Sequence, residues 1–174
     1  MKYISLFISV LVLVFSFSNI ANAKTQKQIF DVQGTGEIVW VTDGDTFKIE
    51  PDNSSVINKL SNGVSQKGMD NYKYGQFVVR LANVDTAESV HYNKSRNSKE
   101  GKKVSNLMKD KLYGKRVEFR CFNRGHYERA ICNVSILGSS EIEDIGAYLI
   151  KNGYSKYVTS WGRNPYKDSQ YSSF

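Results

Sequence analysis

Five short β-rich runs, with a helical stretch between the third and the fourth, constrain this chain more than any other feature. "GEIVWV" and "TFKIEP" meet at an Asp43-Gly44 turn and are bounded by Gly36 and Pro51. A third run spans Phe77 to Val84, and "RVEFRCF" and "RAICNVSI" form a second hairpin across "NRGHYE". The runs alternate, favour β-branched and aromatic residues and end at turn formers, as half-buried strands do. Val104, Leu107, Met108 and Leu112 recur at helical spacing, with lysines opposite and Gly114 as a stop. A second helix is expected within "SSEIEDIGAYLIKNGYSKYV". Ser140 and Glu143 read as its capping box, and Gly153 closes it. This order predicts an α+β, mainly β fold: a five-stranded Greek-key barrel of the oligonucleotide-binding kind (OB-fold) with two flanking helices.

The rest of the chain frames that domain. Lys2, an apolar stretch from Ile4 to Phe17 and Ala21-Asn22-Ala23 make residues 1–23 a Sec-type signal peptide. The stretch is short for a membrane span, which needs about 20 residues. The expectation is an exported protein, secreted or periplasmic, with no stable membrane association after cleavage. Residues 24–35 read as a flexible lead-in, 36–160 as the barrel domain and 161–174 as a short tail. Within the domain, 51–75 is rich in Asn, Ser, Gly and Lys and reads as a long, mobile hairpin insertion. A net charge of +7 favours anionic partners such as nucleic acid, phosphorylated ligands or an anionic membrane surface, and 40% hydrophobic content excludes a disordered chain. Cys121 and Cys132 sit on neighbouring strands and read either as a disulfide, suited to export, or as separate buried thiols. Two cysteines and two histidines (His91, His126) without ligand spacing argue against structural zinc.

Polar groups gather at the strand ends: Asp45-Thr46, Arg80, Asp85-Thr86-Ala87-Glu88 and Arg129. A hard divalent cation takes oxygen ligands, which Asp45, Asp85 and the Thr86 carbonyl offer. Glu88 is placed to orient or deprotonate a water. Arg80 and Arg129 are planar donors suited to phosphate. Taken singly, each has a bland reading as turn, cap or ion pair; together they read as a site for cleaving phosphodiesters. Tyr127 and Trp161 read equally as base-stacking groups and as barrel packing.

"DGDTFKI", "VRLANVDTAES" and "YERAICNV", followed by "LIKNGYSKYV", resemble the staphylococcal nuclease (thermonuclease) family over about Ile38 to Val158. The resemblance implies a calcium-dependent hydrolase of DNA and RNA, acting as a monomer with no protein partner. It puts Asp45, Asp85 and Thr86 at the Ca2+ positions, Arg80, Glu88 and Arg129 at the catalytic ones and Tyr127 beside the bound nucleotide. Departures are Ala87 for a usual proline, Gly125 and Glu128 for the Asp and Gly of a "DxYGR" segment, and a tail too short for a full third helix. Glu128 is expected to set a negative charge beside Arg129. A non-catalytic OB-fold binding module is the alternative, and it predicts loss of Asp45, Glu88 or an arginine. "DGDTF" also resembles the nucleophile box of haloacid-dehalogenase phosphatases, but the chain has no βαβ repeats for that fold. Within the opening turn, Asp43 is expected to serve the turn alone, so Asp43→Asn should be mild. Asp45→Asn should abolish cleavage and spare the fold. For the leader, mass spectrometry of exported protein should give a chain starting at Lys24; a chain retaining Met1 would overturn the signal-peptide reading.

Overall fold

The computed structural model describes residues 24–89 and 93–174; the expected leader and His91 lie outside them. Five strands form the barrel: β1 (Val32–Asp43), β2 (Thr46–Pro51), β3 (Phe77–Leu81), β4 (Arg116–Arg124) and β5 (Ala130–Ile136). They close in the order β1-β2-β3-β5-β4. All pairings are antiparallel except β3 with β5, which is parallel. A parallel neighbour needs a crossover. The chain between Leu81 and Arg116 supplies it with α2 (Lys99–Leu112) before β4 turns back into β5. Alternation does what the pattern predicts: Phe77, Val79 and Leu81 point into the core, where they join Phe47, Ile49, Phe119, Met108 and Leu112. Truncating such a side chain, as in Met108→Ala, typically costs about 2–5 kcal/mol. Cys121 faces Cys132 in the β4–β5 register, and the two form a disulfide.

Helix α2 starts where Ser98 accepts a hydrogen bond from the Gly101 amide (2.9 Å), and Gly114 follows it at φ +70°. Gly101 is needed for a second reason: a Cβ there would collide with the Glu88 carbonyl, so the first turn of α2 rests directly on the 87–88 backbone. Helix α3 (Ile145–Lys151) begins later than the capping-box pattern suggests. Asp144, not Ser140, caps it, accepting from the Ala147 amide at 2.7 Å.

Three segments are more structured than their composition suggests. β1 begins at Val32 rather than Gly36, because residues 32–37 pair with β4. Before it, the lead-in docks on the C-terminal segment through a Thr25–Arg163 bridge and a Gln26 amide bond to the Arg163 carbonyl (2.8 Å). The insertion between β2 and β3 folds into α1 (Ser55–Ser61) and a 3-10 turn at Gly68–Tyr72, with Val56, Leu60 and Tyr72 buried. Its polar composition masks these anchors, although Val56 and Leu60 stand at helical spacing. The tail ends in a short helix, α4 (Asp168–Tyr171), whose Tyr171 is buried and donates to Asp144 (2.9 Å).

The Asp43-Gly44 turn is also more than a corner. Asp43 is buried and accepts hydrogen bonds from the Gly44 amide (2.8 Å), the Ser89 amide (3.2 Å) and hydroxyl (3.0 Å), and the Ser105 hydroxyl on α2. One carboxylate thus joins the β1–β2 turn, the 85–89 segment and α2. Gly44 allows the close approach: a Cβ would lie 2.7 Å from Thr86 Oγ1 and 2.8 Å from Val104 Cγ1. The mild outcome expected for Asp43→Asn is therefore revised. An asparagine places an NH2 group against donors, and an unsatisfied buried donor costs about 1–3 kcal/mol. Urea unfolding of Asp43→Asn should show a loss of that size; a midpoint equal to wild type would show that the network contributes little.

Candidate functional site

Strand register assembles the site. Thr46 on β2 lies opposite Arg80 on β3, and Arg80 lies opposite Ile131 on β5. Asp45 immediately precedes β2 and Arg129 shortly precedes Ile131, so groups from three strands meet at one rim of the barrel. The Leu81 amide donates to the Asp45 carbonyl (2.9 Å), which locks the two strand ends together. Beyond β3 the chain runs along the rim as 82–89, carrying Asp85, Thr86 and Glu88. That run is held by the Asp85 amide donating to the Ser155 hydroxyl (2.8 Å) and by Asp43 at Ser89.

Arg80 is the electrostatic centre. Its guanidinium pairs with Asp45 (3.0 Å) and Asp85 (2.7 Å) and donates to the Val84 carbonyl (2.7 Å). Asp45 is buried and also accepts from the Thr86 amide (2.9 Å), the Thr86 hydroxyl (3.2 Å) and the Thr46 hydroxyl (3.0 Å). Burial pushes its carboxyl above the usual carboxylate range, although Arg80 and these donors pull the other way. Asp85, by contrast, is largely exposed.

Arg129 is largely enclosed, and its one side-chain hydrogen bond among the described residues runs to the Thr46 hydroxyl (3.2 Å). Its Nε is buried without a partner. Burial and the nearby Arg80 charge hold the guanidinium below its ordinary value, while Asp45 and Glu88 oppose that shift. Arg129 and Glu128, adjacent in sequence, form no ion pair among the described residues. Glu128 instead bonds the Ser65 amide (3.1 Å) and hydroxyl, and these bonds hold its carboxyl below the usual range.

All seven residues singled out from the sequence for metal, catalysis or substrate (Asp45, Arg80, Asp85, Thr86, Glu88, Tyr127 and Arg129) line one cleft of about 820 Å3. Trp161 lines it too, with the Arg80 guanidinium 5.9 Å from its ring centroid, and Arg129 lies 5.5 Å from the Tyr127 ring. Both aromatic side chains are more than half exposed, which favours the role of contact surface over that of core packing. Sequence reasoning missed Asn83, a buried amide at φ +59° that donates to the Val158 (2.7 Å) and Gly162 (2.8 Å) carbonyls and so holds the segment bearing Trp161. An asparagine set among the apolar residues of "LANV" is the signal that could have revealed it.

No cluster of three His, Cys, Asp or Glu side chains capable of holding a metal occurs among the described residues. A cation in this cleft would draw on two carboxylates, Asp45 and Asp85, bridged by one guanidinium, together with backbone carbonyl and water oxygens. That donor set is all oxygen and suits a hard ion such as calcium rather than zinc.

Comparison with known proteins agrees with this arrangement at the level of family. A search of curated proteins gives no match. A family model described as staphylococcal nuclease homologue matches residues 78–174, more than half of the chain, and its span contains Arg80, Asp85, Thr86, Glu88 and Arg129. Together with the closed five-stranded barrel, this match shows that the chain belongs to the staphylococcal nuclease homologue family.

Proposed function

We propose that this protein is an exported, calcium-dependent nuclease that hydrolyses phosphodiester bonds of DNA and RNA without regard to the sugar. The observation that carries the reading is the convergence of Arg80, Arg129, Asp45, Asp85, Glu88 and the exposed rings of Tyr127 and Trp161 on a single cleft. Arg129 carries it furthest, because its buried Nε donor has no protein partner. A buried donor without an acceptor is costly, and a phosphate oxygen is the acceptor that fits a guanidinium best.

In this reading Arg80 and Arg129 bind the scissile phosphate and stabilise the charge that builds on its oxygens in the transition state. Glu88 orients a water for in-line attack on phosphorus, and the water's proton passes to the carboxylate or to solvent as the P–O bond to the leaving oxygen breaks. Asp45, Asp85 and the Thr86 carbonyl would hold calcium, which when bound supplies Lewis-acid polarisation of the phosphate. Tyr127 and Trp161 offer rings for bases of any identity to stack on. Contacts to phosphate carry no base information, so cleavage should be largely sequence-blind and should weaken steeply with salt.

Digestion of plasmid DNA and of RNA by protein lacking 1–23 should require calcium and stop with chelator. Glu88→Gln should lower kcat by about 10²–10⁴-fold, and Arg129→Ala by about 10²–10³-fold. Protein that binds DNA but leaves it intact in calcium would favour the binding-module alternative and sink the enzyme reading.

Asp45→Asn separates catalysis from folding. Burial raises the Asp45 carboxyl, so its ionised form is less favourable in the folded protein than in the unfolded chain. At neutral pH a neutral isostere escapes that cost. It also sets an NH2 group against the Thr46 and Thr86 donors and weakens the Arg80 pair. The expected outcome without metal is therefore a folded protein with a somewhat lower melting temperature, with cleavage abolished and calcium no longer raising the melting temperature. Retained calcium stabilisation in the variant would remove Asp45 from the ligand set.

A further inference from the structure

The β4–β5 turn, residues 124–129, forms one wall of the cleft and carries Tyr127 and Arg129. Its outer side is gripped by the β2–β3 insertion at four points. Arg124 donates to the Leu60 carbonyl (2.7 and 3.1 Å) and to the Asn62 carbonyl. The Asn71 amide donates to the Tyr127 carbonyl (2.8 Å). The Tyr72 hydroxyl donates to the Glu128 carbonyl (2.7 Å). The Glu128 carboxylate takes the Ser65 amide and hydroxyl.

Two details show that this contact is built rather than incidental. Glu128 adopts φ +58°, a left-handed conformation that suits glycine and is costly for a residue with a side chain. Gly68 lies so close to Glu128 that a Cβ would collide with its carboxylate. Glu128 is the residue immediately before Arg129, so its dihedrals, set by the turn's own bonds (Glu128 amide to Gly125 carbonyl, 2.8 Å; Gly125 amide to Arg129 carbonyl, 2.9 Å) and braced by the insertion, govern the direction in which the Arg129 side chain leaves the backbone.

We infer that the 51–75 insertion is a positioning element for the nuclease site, and that Ser65, Asn71, Tyr72 and Glu128 are positioning residues that hold Arg129 and Tyr127 at the cleft. This rests on the catalytic reading of Arg129 above. It assigns the insertion a task other than gating: it fixes the wall that meets the phosphate. It also gives Glu128 a role opposite to the one its charge suggests. Bound to Ser65, the carboxylate is engaged on the outer side of the turn and is not paired with the arginine.

The test uses a triple variant, Glu128→Gly combined with Asn71→Ala and Tyr72→Phe, which removes three of the four gripping points while giving the backbone the residue that φ favours, and Ser65→Ala, which removes the hydroxyl alone. Glu128→Gln, still able to accept from Ser65, is the conservative control. Steady-state cleavage of an oligodeoxynucleotide in calcium, thermal midpoints and hydrogen exchange of the 124–129 amides are measured for each. Misplacing a catalytic group by about 1 Å can cost about 10²-fold. The expected result for the triple variant is therefore a kcat lowered by about 10–100-fold. KM and thermal midpoint should stay near wild type, with faster exchange confined to the turn. Ser65→Ala should show a smaller loss of the same kind, and Glu128→Gln should keep most of the rate. Wild-type kcat in the triple variant, unchanged exchange of the turn, or a loss of rate that merely tracks a fall in midpoint would each overturn the inference. If wild-type protein cleaves nothing, the nuclease reading fails by itself, and the exchange experiment still decides whether the insertion holds the turn.

Discussion

The parallel pairing of β3 with β5 is the contact on which the rest of the site depends. It sets Arg80 opposite Ile131 and so brings Arg129 close to a residue almost fifty positions earlier in the chain. Two guanidinium groups at such range repel, and the structure manages the repulsion with carboxylates: Asp45 and Asp85 on Arg80, and the fields of Asp45 and Glu88 on Arg129. Burial raises the cost of leaving any of these charges uncompensated. The cleft thus holds a concentrated and nearly balanced set of charges that a barrel core alone would exclude. Its imbalance lies at Arg129, whose depressed affinity for its proton and unmet Nε donor both call for an anion.

The hydrogen-bond network around Asp43 keeps that set in place from behind. Asp43 and Asp45 sit one residue apart at the same turn, both buried, yet they face different work. Asp43 is surrounded by amides and hydroxyls and ties β1, the 85–89 segment and α2 together. Asp45 accepts amide and hydroxyl donors too, but it also pairs with the Arg80 guanidinium in the cleft. A carboxylate among hydroxyl and amide donors stabilises the fold around it, whereas one paired with a cation beside an opening is free to exchange that partner for another.

Much of this was legible in the sequence because it is carried by local signals. The five strands follow from alternation, α2 from the spacing of Val104, Met108 and Leu112, and the site residues from their clustering at strand ends. What was not legible depends on distant partners. Asp43 looks like a turn residue because Ser89 and Ser105 can be matched to it only once α2 is packed. The insertion looks loose because its order rests on three buried side chains and on bonds to a turn about sixty residues away. Ser140 and Glu143 satisfy a capping pattern, but the Asp144 carboxylate reaches the helix amide directly and also receives the Tyr171 hydroxyl, so tertiary contact decides where α3 starts. Charge at Glu128 was visible, whereas the direction of its side chain was not.

The docking of the lead-in on the C-terminal segment has a consequence for how the domain forms. The Tyr166 hydroxyl meets Gln28 across 138 residues of sequence, and the Asn83 amide just beyond β3 donates to the carbonyls of Val158 and Gly162. Contacts of such separation raise the contact order and slow folding, because the entropy of closing the intervening loop must be lost before they are gained. Forming the Trp161 side of the cleft therefore requires loop closures beyond those of the barrel itself. A chain still missing its final residues would hold a formed barrel and both arginines but an unfinished binding face, so competence for a ligand would follow folding as a separate step in time.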